Sequence, residues 1–376
     1  MPAAVRLVGG VHAQEDQPRS RYVVGYLEGE GVGPEVVRAA LGVLAALESA
    51  TGFRFEVREG GLIGRAAQSV CGKSLPEEVV QFCKDVFSVS GAVLSGPGGA
   101  RFVYDLRRRF DLFCKISPIK TFEVLAAAGR LRPDHARGVD MLLVRENCSD
   151  IYMGSETETS AEEGRQVDVR FSCSQREVQR IVDVSARLAA HRRGKMAVVV
   201  KSDGMPLLSA LWMECAQRAA AREEVDCESV DVDYAAYRLI QHPQGFDVVV
   251  ASNVFGDILA DLGGVLLGSR GLTHSGNFSA DGAAVYQTNH GAAYDLAGTD
   301  RANPVGQILS LAMLLRESFG LAREAGLIES AVADVWRQGW RTEDLAEDDC
   351  RVVGTQRMGE LVAAALGRTA PGGQDR

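Results

Sequence analysis

Phe246-Asp-Val-Val-Val-Ala251-Ser-Asn253-Val-Phe-Gly-Asp257-Ile-Leu-Ala-Asp261 decides the fold class. A short, nearly unbroken apolar run rich in β-branched residues fits a strand covered on both faces. A helical pattern, expected over Ile258–Leu267, follows almost at once. The same alternation spreads outward in both directions. Lys195–Val200 and Gly91–Ser95 are further buried strands, the second ending in Gly96-Pro97-Gly98-Gly99. Tyr22–Leu27 is a strand leading through Gly29, Gly31 and Gly33 into a helix opened by Pro34. Proline suits that place because its missing N–H would be unpaired there anyway. Arg54–Arg58 is expected as strand, and Pro76–Asp85, Gln175–Ala190, Leu207–Arg222 and Pro304–Phe319 as helices. Alternating β and α elements argue for an α/β architecture. Ser155–Gln166 is polar and charged, an exposed excursion, and residues 1–20 and 368–376 are expected as loose ends.

The 376 residues suggest two or three domains, and 46% apolar with 24% charged residues excludes wholesale disorder or a fibre. A net charge of −9 argues against a chain that coats nucleic acid. No apolar stretch approaches the ~18 residues of a membrane helix; Ile308–Leu315 is among the longest clean ones. The first twenty residues lack a basic start with a sustained apolar block. A cytoplasmic protein without membrane or nucleic-acid partners is expected. The eight cysteines (71, 83, 114, 148, 173, 215, 227, 350) form no Cys-x-x-Cys pair and read as reduced thiols. The six histidines are too scattered for a His-based metal site.

Chemistry concentrates in a few places. Asp257 and Asp261 stand four apart, on one face of a helix just beyond the carboxyl end of a buried strand, where α/β folds bind ligands. Hard divalent cations want such carboxylate oxygens. The plainer reading is two acids complementing the helix N-terminus. His290-Gly-Ala-Ala-Tyr-Asp295-Leu-Ala-Gly298, followed by Asn303-Pro304, is a small-residue loop with one acid, suited to close ligand approach. It is not G-x-G-x-x-G, nor is Gly29-x-Gly31-x-Gly33. Leu106-Arg107-Arg-Arg could bind carboxylates bidentately, although Arg108 and Arg109 fit a solvated helix face. Arg145 in Leu143-Val-Arg-Glu-Asn, with Tyr152 seven residues on, and Lys201 at a strand end complete the set. Lys201 could be a desolvated base or simply snorkel.

In their order along the chain these segments resemble the β-decarboxylating dehydrogenases, the isocitrate/isopropylmalate dehydrogenase family. Gly29-Glu-Gly-Val-Gly-Pro-Glu35 is similar to the family's Gly-Asp-Gly-Ile-Gly-Pro-Glu, and the likeness runs from about Tyr22 to Phe319. The resemblance implies an isopropylmalate dehydrogenase-like two-domain α/β fold with a central cleft, not the Rossmann fold. Residues 1–112 and 268–376 would form the large cofactor-binding domain, and 113–267 a small domain with dimerisation and metal-site residues. It further implies a homodimer with shared active sites. Asp257 and Asp261, with Asp233 of the other subunit, would hold Mg2+ or Mn2+. Arg107 and Arg145 would clamp carboxylates of a small 2-hydroxy acid, Lys201 of the other subunit would help remove its hydroxyl proton, and Tyr152 would protonate the enol. His290, Gly291, Ala293, Asp295 and Asn303 would bind the adenosine part of the cofactor, with Val32 near the nicotinamide. Asp295-Leu296 stands where NADP-dependent relatives tend to carry Lys-Tyr, so NAD is expected.

The chain also departs from the pattern. The family's second carboxylate-binding arginine is Ser117 here, and Lys115 replaces the usual Asn or Cys two residues earlier. On an extended strand the two point to the same side, so Lys115 is expected to supply the missing charge; the alternative is that it turns to solvent. In the short loop before Arg107, Arg101 and Tyr104 suggest a polar or anionic substituent on malate C3. Asp203 and Gln287 stand where Asn and Glu are usual. The function expected is NAD- and metal-dependent oxidative decarboxylation of a 3-substituted malate. The alternatives are a non-catalytic regulatory subunit, which Ser117 would fit, or a tartrate/D-malate-type dehydrogenase.

Overall fold

The computed structural model describes residues 21–161 and 164–369. Its strands are β1 (Tyr22–Leu27), β2 (Phe55–Glu59), β3 (Ala92–Ser95), β4 (Cys114–Lys120), β5 (Asp140–Glu146), β6 (Ser155–Ala161), β7 (Gly164–Arg170), β8 (Lys195–Val200), β9 (Asp226–Asp231), β10 (Val248–Ala251), β11 (His274–Phe278), β12 (Ala284–Thr288), β13 (Trp340–Arg341) and β14 (Arg351–Val352). Ten of them form one sheet in the order β2-β1-β3-β12-β11-β4-β5-β10-β8-β9. Pairing is parallel at both ends of the sheet and antiparallel from β12 through β11 and β4 to β5. Helices supply the remaining core, and the Val305–Phe319 helix is buried on nearly every side.

The expected alternation is present, with shifted boundaries. Pro34 sits in the first turn of the Gly33–Thr51 helix, which ends on Gly52 at φ 78°. The Gln175–Ala190 helix begins with Ser174 and Glu177 capping each other's backbone N–H groups. Three readings change. The Asp257 helix spans Asn253–Leu267, so neither Asp257 nor Asp261 is in its first turn; they are not acids placed for the helix dipole. Residues 155–160 and 164–166 are exposed as expected, yet they belong to two antiparallel strands, β6 paired with β7. Polar residues pair there through backbone bonds and the Arg165–Glu158 ion pair, which a hydrophobic pattern cannot reveal. The last helix, Thr355–Thr369, reaches into the expected loose end; residues 1–20 and 370–376 lie outside the described residues.

All eight cysteines are free thiols. No helix among the described residues is long and apolar enough to cross a membrane.

Candidate active site

The site grows out of the antiparallel centre of the sheet. Lys115 of β4 pairs with Arg145 of β5 on one side and with Asn277 of β11 on the other. Residues directly opposite in an antiparallel pair share a face, so two cations are forced side by side, an arrangement that destabilises a sheet. Both are buried, at 4% and 3% exposure, as is Arg107 at the end of the Phe102–Arg109 helix. Three buried positive charges in one wall cost folding free energy unless anions compensate them.

Compensation comes from the Asn253–Leu267 helix. Arg145 donates from Nε and Nη2 to Asn253 Oδ1 at 2.9 and 2.6 Å, and from Nη1 to Asp257 Oδ1. Gly256 makes this contact possible, because a Cβ there would lie 2.8 Å from Arg145 Cγ. Asn253 Nδ2 donates to the Ser149 carbonyl, and Asp150 accepts the Val254 N–H. Glu146, fully buried, accepts N–H bonds from Cys148 and Ser149 and the Ser149 hydroxyl at 2.6 Å. The segment leading into Tyr152 is thereby fixed at residues 146–150.

Burial opposes the charged form of Asp257, but Arg145, Lys115 and Arg107 outweigh it and hold the carboxyl below its usual range. Burial, then Asp257, which accepts its hydroxyl, raise the Tyr152 phenol; it therefore keeps its proton. Burial, with Arg145 beside it, presses Arg107 down to about 9, still charged at neutral pH. Burial lowers Lys115 well below its ordinary value, helped by Arg107 and Arg145 and opposed by Asp257 and Asp261. Arg107 Nε is buried and finds no acceptor among the described residues. A cationic wall with an unanswered donor is a receptor for a small polyanion.

At the rim, Arg101 and Arg107 lie 5.2 and 5.6 Å from the centre of the Tyr104 ring, which meets Tyr152 edge-on at 5.7 Å. Arg101 also donates to the Tyr152 carbonyl at 3.3 Å. Arg108 and Arg109 are exposed, bonded to the Met153 carbonyl and to Glu77. Where the family has its second arginine, Ser117 Oγ accepts from Asn289 Nδ2 at 3.2 Å. Both Ser117 and Lys115 are buried, which overturns the alternative of Lys115 turned to solvent.

Asp233 and Lys201 lie elsewhere in the chain. Lys201 Nζ stands 2.8 Å from Asp233 and 3.7 Å from Asp231, and Asp233 is 70% exposed. The bond to Asp233 raises Lys201, so within one chain it is not a desolvated base. Asp261, half exposed, pairs with Arg270 at 3.0 Å. No cluster of three or more His, Cys, Asp or Glu able to hold a metal occurs among the described residues.

The small-residue loop packs against the Gly29–Gly33 turn, where the Val32 N–H donates to the Ala292 carbonyl at 2.9 Å. Gly31, at φ 60°, has no room for a Cβ, which would fall 1.8 Å from that oxygen. The Val32 side chain is sealed in a small cluster with Val36 and Ala302. His290 Nδ1 is 2.9 Å from the Gly291 carbonyl, and burial lowers its pKa, leaving the ring neutral. Asn303 accepts the Val305 N–H and donates to Asp344. Asp295 is exposed, Ala293 takes φ 41°, and nothing lies within 4 Å of where a Cβ of Gly291 would stand. Open space over a glycine beside a free carboxylate suits the close approach of a ribose. Asp203 is exposed, whereas Gln287 is buried within β12. Sequence reading missed Asn253, Asp150 and Glu146; the Asn directly after a buried strand was the available signal for the first.

The sequence profile described as isocitrate/isopropylmalate dehydrogenase matches residues 23–362. The 3-isopropylmalate dehydrogenase of Priestia megaterium is 38% identical over 355 residues, covering 91% of this chain and 95% of that protein. That of Aquifex aeolicus is 34% identical over 359 residues, covering 93% and 98%. Among solved structures, isocitrate dehydrogenase from Methylococcus capsulatus superposes with a TM-score of 0.82 at 29% identity, covering 92% of this chain and 99% of that one.

Proposed function

The chain belongs to the isocitrate/isopropylmalate dehydrogenase family, and we propose that it catalyses the NAD- and divalent-metal-dependent oxidative decarboxylation of a 3-substituted malate. The observation that carries this reading is the buried Arg107–Lys115–Arg145 wall facing Asp257 and the Tyr152 hydroxyl. Arg107 and Arg145 clamp the carboxylates, and Lys115, whose charge burial disfavours in the free chain, takes a proton when a substrate carboxylate faces it and so supplies the charge that Ser117 does not. Asp257 and Asp261, joined by Asp233 of a second copy, would hold Mg2+ or Mn2+. Such an ion acidifies the substrate hydroxyl and stabilises the enolate left when CO2 departs.

Lys201 of the second copy removes the hydroxyl proton. Asp233 holds it protonated in the isolated chain, so before it can act as the base it must leave that pairing and release its own proton to solvent. Tyr152, still carrying its own proton, delivers it to the enol carbon. His290, Gly291, Ala293, Asp295 and Asn303 form the adenosine side of the dinucleotide site, with Val32 near the nicotinamide. The Asp295 carboxylate accepts a ribose 2′-hydroxyl and repels a 2′-phosphate.

A homodimer with shared sites fits the surface beside these residues. Leu207, Tyr234, Tyr237 and Ile258 are more than half exposed, and large apolar side chains left bare in one region mark an interface. The division into 1–112 with 268–376 and 113–267 belongs to this reading: the two sets of strands meet where β11 pairs with β4.

The test is NADH formation with Mg2+ or Mn2+ across unsubstituted, isopropyl, carboxymethyl and phosphonomethyl malates. Turnover of one member with CO2 release is expected. Oxidation without CO2 would favour a tartrate/D-malate-type enzyme. No turnover of any member, with tight binding to a homologous protein, would favour a regulatory subunit; the buried Lys115 argues against that, since a chain freed from catalysis has no need to keep a costly ionisable amine at the site.

A further inference from the structure

Glu30 stands in the turn between β1 and its helix, where a carboxylate would ordinarily face water, yet it is only 8% exposed. Its Oε1 accepts the Ala66 N–H at 2.7 Å, and its Oε2 accepts the Gly99 N–H at 2.6 Å and the Tyr294 hydroxyl at 3.1 Å. Burial opposes its charge, but the N–H groups of Gly99, Ala66 and Arg65 and the Tyr294 hydroxyl prevail and lower its pKa. The Arg65 guanidinium lies 5.0 Å from the centre of the Tyr294 ring. Space is cleared for the contact: a Cβ on Gly99 would fall 2.5 Å from the Tyr294 oxygen and 2.9 Å from Glu30 Oε2. The backbone of the same turn adds two ties, from Glu30 N–H to the Pro97 carbonyl at 2.8 Å and from Val32 N–H to Ala292.

We propose that Glu30 and Tyr294 are positioning residues that couple the dinucleotide loop to the loop reading the malate substituent. The path is short. Tyr294 directly precedes Asp295, and Gly99 lies two residues before Arg101, which stacks on Tyr104 and bonds to the Tyr152 carbonyl. Between them stands one ionised carboxylate receiving charge-assisted hydrogen bonds, the strong kind. A dinucleotide that orders residues 290–296 thereby orders 97–101, and by linkage a substrate held at Arg101 favours the dinucleotide by the same factor. This inference rests on the cofactor assignment proposed above.

The experiment is amide hydrogen exchange on the full chain with and without NAD+, for the wild type and Tyr294→Phe, a change that keeps the ring against Arg65. In the wild type, NAD+ is expected to slow exchange in both 290–296 and 98–101. The slowing at 98–101 should be about ten-fold, one hydrogen bond to a charged group. In Tyr294→Phe the NAD+-induced protection of 290–296 stays and that of 98–101 is lost. Equal protection of 98–101 in the variant, or none there in the wild type while 290–296 is protected, overturns the coupling and leaves the cofactor assignment standing. No protection of 290–296 in the wild type overturns both.

Discussion

Two charged regions of this chain follow opposite designs. The Arg107–Lys115–Arg145 wall is buried, crowded with basic groups, and among the described residues its one ion pair is with Asp257. The Lys201–Asp233 pair is exposed and mutually satisfied, on a surface that also leaves Tyr234, Tyr237 and Leu207 bare. The first is a half-site held under electrostatic strain for an anion to relieve. The second is stable as it stands, and in our reading is lent to another copy. Charges that must meet substrate from within one chain are fixed by burial; those supplied across an interface need only be presented.

The hardest test of the first region is Asp257→Asn. Activity on the malate that turns over should fall by at least about a thousand-fold, since metal and clamp are both lost. Arg145 Nη1 would be left without its charged acceptor, and urea denaturation should show a loss of about 1–3 kcal/mol. A variant with near wild-type kcat/KM would break the assignment.

The second region is tested by mixing. Lys201→Met and Asp257→Asn proteins, each inactive, should regain roughly a quarter of wild-type activity once subunits exchange, because mixed dimers then contain one intact site. If each site were complete within one chain, no mixture would recover.

Lys115→Met should raise the substrate KM by about a hundred-fold, and an unchanged KM would remove Lys115 from the site. The same change should stabilise the free protein by about 1 kcal/mol in urea, because an apolar side chain replaces a buried ionisable amine held between two arginines.

The smallest effect is expected at Glu30→Gln, with a loss of about 1–2 kcal/mol at pH 7. The folded pKa of Glu30 lies below its ordinary 4.5, so its stabilisation is complete above that value and is lost as pH falls through the folded one. Denaturation at pH 7, 5 and 4 should show wild type and variant converging at the acid end. A gap that stays constant with pH would show that shape, not charge, holds the turn.

Much of the architecture was legible beforehand. The apolar run before Ser252 and the helical spacing of Asp257 and Asp261 depend on local pattern, and both appear. The boundary error at the Asn253–Leu267 helix has a local cause: Asn253 and Gly256 are poor helix formers, and tertiary bonds to Arg145 and Ser149 overrule that preference. The β6–β7 pair was invisible because its strands bury almost nothing.

The sequence alone determined the α/β class and which residue types could carry the chemistry, since periodicity and spacing are properties of neighbours along the chain. Only the tertiary structure decided that Lys115 lies buried opposite Arg145, that Asp257 answers that arginine, and that Glu30 gathers three distant segments. Strand register and burial are set by contacts between segments far apart in the chain, and no local pattern encodes which charge will be left facing which.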